Sequence, residues 1–487
     1  DVSLSPQAER VLQKGPKFAI PPRMEAVDKV VLVRSIASKA PEEKVSQIIN
    51  EGIDCLANLR GQVHQKFSFG STIHELRTKG LRLCVSDKEG GFVVLDSEEY
   101  RQKATQAVAK NFIPVEERRT KSAKKAILKI FEDNCQGSLV TKIKGTKDTH
   151  LSVFFSAKTH KDGVPFWAIV SERNTSQGQV SIYLAKQLSQ CTMQDPFRIP
   201  NSESVIAFIR EKGSDIVYGF SIDIQDLYYS IPQASLLSIL RKTIEQQGVA
   251  FQNTAGMNLD SFLELLRVYL TATVVSHENS SYVQRSGVCI GSRVAPYLSD
   301  IFLAACGSAI QEKLKDPRIE GIFRYVDDFL ILCNTKVDEE IDGCRDTVMQ
   351  CFEQSCLGLK FTHELPVDNS IRFLDLALEF KGNHVCWRYQ ARSCKGFLPF
   401  DSGHSKNVKK GVATTALISA LKKTCHHQAE RSFKTQVSRL QEAGYPKSLL
   451  VAICEQVCKT IKRGLGCTSK STKEKKKTRH AVVVFTG

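Results

Sequence analysis

The sequence has no apolar run approaching the ~20 residues that a helix needs to cross a bilayer. Its N-terminus lacks the basic, then apolar, then small-residue pattern of a secretory signal. Its 16 cysteines fall singly, many among Leu, Ile and Val, at no regular spacing. That argues against a disulfide framework and for reduced, buried thiols in an intracellular protein. No internal repeat recurs, which argues against solenoid and propeller arrays. What remains is ordinary globular composition, 42% apolar and 25% charged. A chain of 487 residues exceeds one compact core, so roughly two to four domains are expected. The opening Asp gives the expectation of a fragment or a processed product.

Positive charge is concentrated at one end. Of the formal net charge of +16, the segment from His404 to His480 carries +14, from 18 Lys or Arg against four acids. Such density suits a phosphate backbone or an anionic membrane, and a solvated face is the plain alternative. The "KEKKK" run at 473–477 reads either as a nuclear localisation signal, which makes the nucleus the expected location, or as a solvated linker. Cys454 and Cys458 lie one helical turn apart, with Cys425-His426-His427 upstream. A zinc site is one reading of these residues; the irregular spacing favours buried or solvated helix residues instead.

Periodicity supplies the organisation. Pro41 and two acids open a helical pattern over 41–59, with Val45, Ile48, Ile49, Ile53, Leu56 and Leu59 at helical spacing. Strand–turn–strand patterns occupy 82–96, around Glu89-Gly90-Gly91, and 153–171, around Lys161-Asp162-Gly163. A charged helical stretch lies between Tyr100 and Lys129. Then come a β-like segment (215–224), an amphipathic helix (235–248), a hairpin turning near Glu278-Asn279, a long apolar helix (296–314), and short strands at 323–332 and 371–380. From about 404 the spacing is helical only: Phe433, Val437 and Leu440 mark one helix, Ile453, Val457 and Ile461 the next. The expectation is a mixed α+β body followed by a basic helical module.

Two of the apolar β-patterns carry acids. Asp223 interrupts "FSIDIQDLYYSIP", and Asp327 and Asp328 stand side by side in "FRYVDDFLIL" (323–332). An ionised carboxylate is costly to take out of water unless a cation or donor meets it. Mg²⁺ is a hard cation that takes carboxylate oxygens and leaves room for waters and substrate phosphates. Two such ions ~4 Å apart can activate a hydroxyl and hold the leaving oxygens of an in-line phosphoryl displacement. That chemistry asks little of a protein beyond positioned acids. Taken alone, "YVDD" reads equally well as a surface hairpin turn.

Context decides more. Tyr228 follows Asp223 by five residues, and this D-x-x-x-x-aromatic strand with the Y-x-D-D hairpin resembles the catalytic strands of reverse transcriptases. Between them, "QRSGVCIGSRVAPYLSDIFL" (284–303) is similar to the third palm motif of that superfamily, its Gly287 and Gly291 permitting close backbone approach. The wording of "SIDIQDLYYSIP", "GVCIGSRVAPYLSDIF", "RFLDLAL", "KTHKDGVPFWAIVS", "VLQKGPKFAIPPR" and "HSKNVKKGVATTALISAL" looks like the Penelope-like retroelement reverse transcriptases, within the telomerase-related superfamily. The likeness spans roughly residues 3–465.

The resemblance implies an α+β right-hand polymerase fold, with fingers, a palm built on an antiparallel sheet, and a helical thumb. It divides the chain into an N-terminal helical extension (1–75), fingers (76–214), palm (215–385), basic thumb (386–466) and basic linker (467–487). It implies an RNA-directed DNA polymerase that extends a DNA primer on an RNA template with dNTPs, uses two Mg²⁺ ions with Mn²⁺ as the alternative, and has no membrane role. Asp223, Asp327 and Asp328 would be the catalytic metal ligands, joined by Ile224. Lys360, in "GLKFTHE", would protonate the departing pyrophosphate. Lys88, Ile224, Tyr228, Gly291 and Tyr325 would meet the nucleotide. Tyr228 would lie under the sugar and exclude a 2′-hydroxyl, its plain reading being a core aromatic. Phe373, Leu374 and Asp375 would form the primer grip, on strands running to Leu378.

The sequence also departs from the pattern. Where the finger motif carries P-x-R-P, it reads Pro165-Phe166-Trp167-Ala168, and Trp cannot supply a charged donor fork. Glu89 stands where glycine is common after Lys88, and Arg293 where proline is common after Gly-Ser. Many members carry a C-terminal GIY-YIG endonuclease; no GIY or YIG triplet occurs here, so a truncated or endonuclease-less form is expected. Three readings stay open: an active RNA-directed DNA polymerase, a degenerate copy that only binds nucleic acid, and an RNA-dependent RNA polymerase. Tyr228 argues against the last.

Overall fold

The computed structural model describes residues 3–467, apart from 21–25, 59–68, 117, 149, 192, 336–337, 383 and 393–394. Leu59, the lysine run at 473–477 and all but the first residue of the expected 467–487 linker therefore lie outside the described residues.

In chain order the first strands are β1 (Leu81–Ser86), β2 (Phe92–Asp96), β3 (Phe112–Pro114), β4 (Leu151–Ala157) and β5 (Phe166–Ser171). Next come β6 (Tyr218–Ile224), β7 (Val274–His277), β8 (Ser280–Gln284), β9 (Ile319–Tyr325) and β10 (Asp328–Cys333). The last are β11 (Phe361–Glu364), β12 (Ser370–Phe373), β13 (Leu376–Lys381) and β14 (His384–Tyr389). They form three sheets. The largest runs β2-β1-β4-β7-β8-β3 with β5 also on β4; the second runs β11-β6-β10-β9; the third runs β12-β13-β14.

In the largest sheet β1–β4 and β4–β7 pair in parallel, which demands long crossovers between them. The 274–284 hairpin turns through Glu278 (φ +47°) and Asn279 (φ +60°), a two-residue turn whose twist suits flanking strands. It falls inside the 215–385 stretch expected to build the palm, yet it extends the largest sheet instead. Val274 and Val275 are buried there, and Val275 pairs with Leu151. The charged stretch from Tyr100 to Lys129 is two helices, Ser97–Asn111 and Arg118–Asp133, rather than one. Phe112 ends the first because it is buried in this sheet's core, where β3 pairs with β8.

The second sheet is covered on both faces, which is why β10 reads as a nearly continuous apolar run. Side chains alternate across a strand. Phe329, Ile331 and Cys333, with Phe220, Ile222 and Ile224 of β6, enter a core formed with the helices Ser176–Leu188, Gln233–Gln247, Leu259–Thr271 and Ala295–Lys313. Leu330 and Leu332 point the other way, into a second core shared with Ile371, Phe373, Leu376 and Leu378 of the third sheet. Gly219 makes that second packing feasible: a Cβ there would lie 2.9 Å from both Leu332 Cδ2 and Phe380 Cζ.

After β14 the helices Lys406–Lys422, Ala429–Glu442 and Lys447–Cys467 pack around Leu417, Phe433, Leu440, Ile453 and Val457. The 395–403 segment then meets residues from early in the chain. Lys14 pairs with Asp401 at 2.6 Å, the Gly403 N–H donates to Ala19 O at 2.7 Å, and Lys395 Nζ donates to Asp87 O in the β1–β2 turn at 2.8 Å. Gly90, at φ +72°, is required here, since a Cβ would meet the Lys395 stem at 2.7 Å.

Candidate active site

The β9–β10 hairpin closes with Tyr325 opposite Asp328, leaving a two-residue turn of Val326 and Asp327. Val326 sits at φ +57°, a region β-branched residues rarely enter. Arg324 holds it there: Nη1 donates to Val326 O at 2.7 Å, while Nε and Nη2 reach Asp195 Oδ2 at 3.1 and 2.6 Å. Arg324 and Asp195 are 1% and 4% exposed at their side chains, so this is a buried, forked ion pair. It fixes the turn that carries Asp327.

On the other side of β10, Asp328 lies directly opposite Asp223 of β6. The Ile224 N–H donates to Asp327 O at 3.2 Å, tying the hairpin turn to the end of β6. Carboxylate oxygens of Asp223, Asp327 and Asp328 all lie within 4.8 Å of one another. Like charges directly opposite on a sheet repel. The carboxyl groups respond accordingly. Partial desolvation by its neighbours, then Asp327, pushes Asp223 up to about 6 although its side chain remains exposed. Burial, then Asp327 and Asp223, pushes Asp328 up to about 6. Asp327 is raised as well, chiefly by burial. An oxygen-only donor set with excess negative charge fits a hard divalent cation, so these residues can hold Mg²⁺ or Mn²⁺.

Cations surround the cluster. The Lys88 charge acts on all three carboxylates, and that of Lys161, in the β4–β5 turn, acts on Asp223. Arg392 Nη2 lies 3.3 Å from Asp328 Oδ2, its guanidinium 4.9 Å from the Tyr325 ring centre. Lys110 pairs with Asp226 at 2.6 Å just beyond β6. Trp167, where arginine was expected, carries the Lys158 ammonium 4.2 Å above its ring.

The remaining expected residues divide into two groups. Tyr228 is half-buried against the helical core near the acids, and burial pushes its hydroxyl's pKa up. Lys360 is exposed at the foot of β11, its carbonyl accepting from the Gln225 N–H at 2.9 Å. Because Thr362 lies opposite Asp223, alternation puts Lys360 on the Asp223 face. Ile224 is a core residue at 2% exposure, so only its carbonyl is available to a metal. Gly291 touches the chain itself: at φ +97°, a Cβ would lie 2.1 Å from Val170 O. Gly287 likewise makes room for the Tyr228-Tyr229 backbone. Tyr325 packs toward the third sheet rather than the helical core.

Phe373, Leu374 and Asp375 make the β12–β13 turn, with Leu374 at φ +54°. Phe373 is buried. Asp375 accepts from Ser202 Oγ and pairs with Lys423 at 2.8 Å, linking the turn to the end of the helix Lys406–Lys422. The sequence reading missed Lys161, Arg392 and the Arg324–Asp195 pair. Arg324 had a visible signal, a charge inside an apolar strand pattern. Arg392 and Asp195 had none, because their partners lie 64 and 129 residues away.

Residues 177–364 match the sequence profile of a family described as reverse transcriptase (RNA-dependent DNA polymerase). That stretch contains Asp223, Tyr228, Asp327, Asp328 and Lys360. Among solved structures, apo telomerase from Candida tropicalis is 11% identical, with 92% of this chain and 76% of that chain covered at a TM-score of 0.50. Telomerase from Candida albicans, in complex with a TWJ fragment of telomeric RNA, is 13% identical over 86% of this chain and 71% of that one, at 0.48. The first likeness shows a shared right-hand polymerase fold. No curated protein matches the sequence.

Proposed function

We propose that this chain is an RNA-directed DNA polymerase of the Penelope-like retroelement kind, extending a DNA primer on an RNA template. The observation that carries the reading is the in-register opposition of Asp223 and Asp328, with Asp327 beside them on a turn held by Arg324. Two Mg²⁺ ions, or Mn²⁺, would supply activation of the primer 3′-hydroxyl and neutralisation of the triphosphate. The three aspartates would hold them, with the Ile224 carbonyl as a further ligand.

The chain's own groups do the rest. Lys88, Lys158 and Lys161 approach from the largest sheet and receive the triphosphate charge. Lys360, on the Asp223 face, is placed to give a proton to departing pyrophosphate. Tyr228 presents its ring beneath the sugar of the incoming nucleotide and excludes a 2′-hydroxyl. The Phe373–Asp375 turn, fixed by Lys423, bears on the primer strand. The +14 segment from His404 to His480 tracks the duplex backbone with little sequence preference. In this reading the N-terminal helices, fingers, palm and thumb follow the divisions expected from sequence, with the 274–284 hairpin assigned to the fingers. The nucleus is the proposed site of action.

Primer extension on an RNA template with Mg²⁺ and dNTPs tests this. The expected result is full-length product from the wild type and none from Asp327→Ala. Tight primer–template binding by the wild type with no extension supports the second reading, a degenerate copy, which Trp167 motivates.

A further inference from the structure

We propose that His384, Cys386, Cys425 and His427 bind one Zn²⁺, a structural site that staples the third sheet to the C-terminal helices. The inference is independent of the polymerase reading, since it concerns side chains remote in role from the aspartates. One ligand atom from each of the four lies within 4.8 Å of all the others. The set is Cys₂His₂, a composition typical of closed tetrahedral zinc.

Local structure explains the grouping. His384 and Cys386 are two apart on β14, so both side chains leave the same face. Cys425 and His427 come from the short turn that begins the helical segment after Lys422, where Cys425 adopts an extended backbone before a single 3₁₀ turn. The Cys425 N–H donates to Trp387 O at 2.8 Å and the Tyr389 N–H to Thr424 Oγ1 at 3.0 Å, bringing the turn onto β14. The two pairs are 39 or more residues apart in sequence and meet only in the fold.

The distances favour a shared cation over ordinary hydrogen bonds. With Zn–S near 2.3 Å and Zn–N near 2.0 Å, tetrahedral geometry places sulfur and nitrogen ligands about 3.5 Å apart. Cys425 Sγ lies 3.4 Å from His384 Nε2 and 3.2 Å from His427 Nδ1. A thiol donates and accepts only weakly, so two ring nitrogens this close to one sulfur gain more from a shared cation than from S–H and N–H hydrogen bonds. Cys386 and Cys425, both 2% exposed, add a second buried sulfur to the same point, with the edge toward His427 open for metal entry.

The consequence reaches the β12–β13 turn. Lys423 precedes Cys425 by two residues and pairs with Asp375 at 2.8 Å. A metal that fixes Cys425 and His427 on β14 therefore also sets where Lys423 holds Asp375. The plain thiol–imidazole cluster has no such reach, because each weak bond can break singly.

The test is zinc stoichiometry on the untagged full chain, by plasma mass spectrometry after exhaustive dialysis. About one zinc per chain is expected in the wild type and in Cys458→Ser, and none in Cys386→Ser/Cys425→Ser. Should that double variant not fold, His427→Ala, an exposed change, serves in its place and is expected to lose the metal on dialysis. Cobalt substitution of the wild type should give tetrahedral d–d bands and thiolate-to-cobalt charge transfer. Wild-type protein without zinc, metal retained in both ligand variants, or a cobalt spectrum lacking thiolate charge transfer would each overturn the proposal.

Discussion

Asp223 and Asp328 face each other directly across the β6–β10 pair, and each carboxyl is pushed up to about 6 from an ordinary 3.8, by burial first and neighbouring carboxylates second. A folded-state value above the unfolded one means that ionisation opposes folding. The stability these groups lend is full below about pH 4 and lost as pH rises through about 6. Metal-free protein should therefore melt lower at pH 8 than at pH 4 by this contribution, most of the loss falling between pH 4 and 6. Mg²⁺ should raise the melting temperature strongly at pH 8 and little at pH 5. Asp328→Asn should raise the metal-free melting temperature at pH 8 and abolish the Mg²⁺ gain. An Mg²⁺ gain that is equal at both pH values and in the variant would contradict this.

Arg324 and Asp195 form a buried pair that also pins the Val326 carbonyl. Removing Asp195 leaves the buried Arg324 guanidinium only the more distant, part-exposed Asp300 carboxylate at 3.6 Å, costing up to about 3–5 kcal/mol. Asp195→Asn should lower unfolding free energy by that amount in denaturant titration. It should also reduce primer extension under conditions where the protein remains folded. A loss under 1 kcal/mol would show the pair to be dispensable.

In the proposed function Tyr228 would act through its ring, which packs against the helical core beside the acids. Tyr228→Phe should keep discrimination between dNTPs and rNTPs. Tyr228→Val should relax the ratio of kcat/KM values by about tenfold or more. Equal discrimination in both variants would assign Tyr228 to the core alone.

Lys158 lies over Trp167, so the position expected to hold arginine still presents a cation, carried by a neighbouring strand. A partly desolvated cation–π contact contributes about 1–2 kcal/mol. Trp167→Ala and Lys158→Ala should each raise the KM for dNTP by about tenfold. Trp167→Arg should give little gain, because two cations would then compete for one place. A large gain would mean that Lys158 does not substitute for the missing arginine.

The part of the fold around the three aspartates was legible because its signals are local. Acids inside apolar strands, Gly287 and Gly291 at close approaches, and Glu278-Asn279 at a tight turn can each be read without distant partners. The hydrophobic pattern of the 274–284 hairpin specifies a strand and not which sheet receives it. Parallel pairing with β4 is a long-range choice. The Phe112 break between two charged helices was hidden for a related reason: burial against a sheet overrode continuous helical spacing. Of the proposed zinc ligands, Cys425 and His427 were noticed beside Cys454 and Cys458, which lie on the helix Lys447–Cys467, and the plain helix reading was preferred. His384 and Cys386 are two residues of an unremarkable strand until the turn after Lys422 folds onto them.

Mn²⁺ binding followed by electron paramagnetic resonance tests the central claim most directly, because a hard ion reports on the carboxylates and not on the cysteine–histidine cluster. With primer–template and a dNTP present, the wild type should bind Mn²⁺ and Mg²⁺ should displace it, whereas Asp223→Asn and Asp328→Asn should each lose that binding while still holding the duplex. Undiminished Mn²⁺ binding in both variants would contradict the assignment of these aspartates as the metal-holding residues.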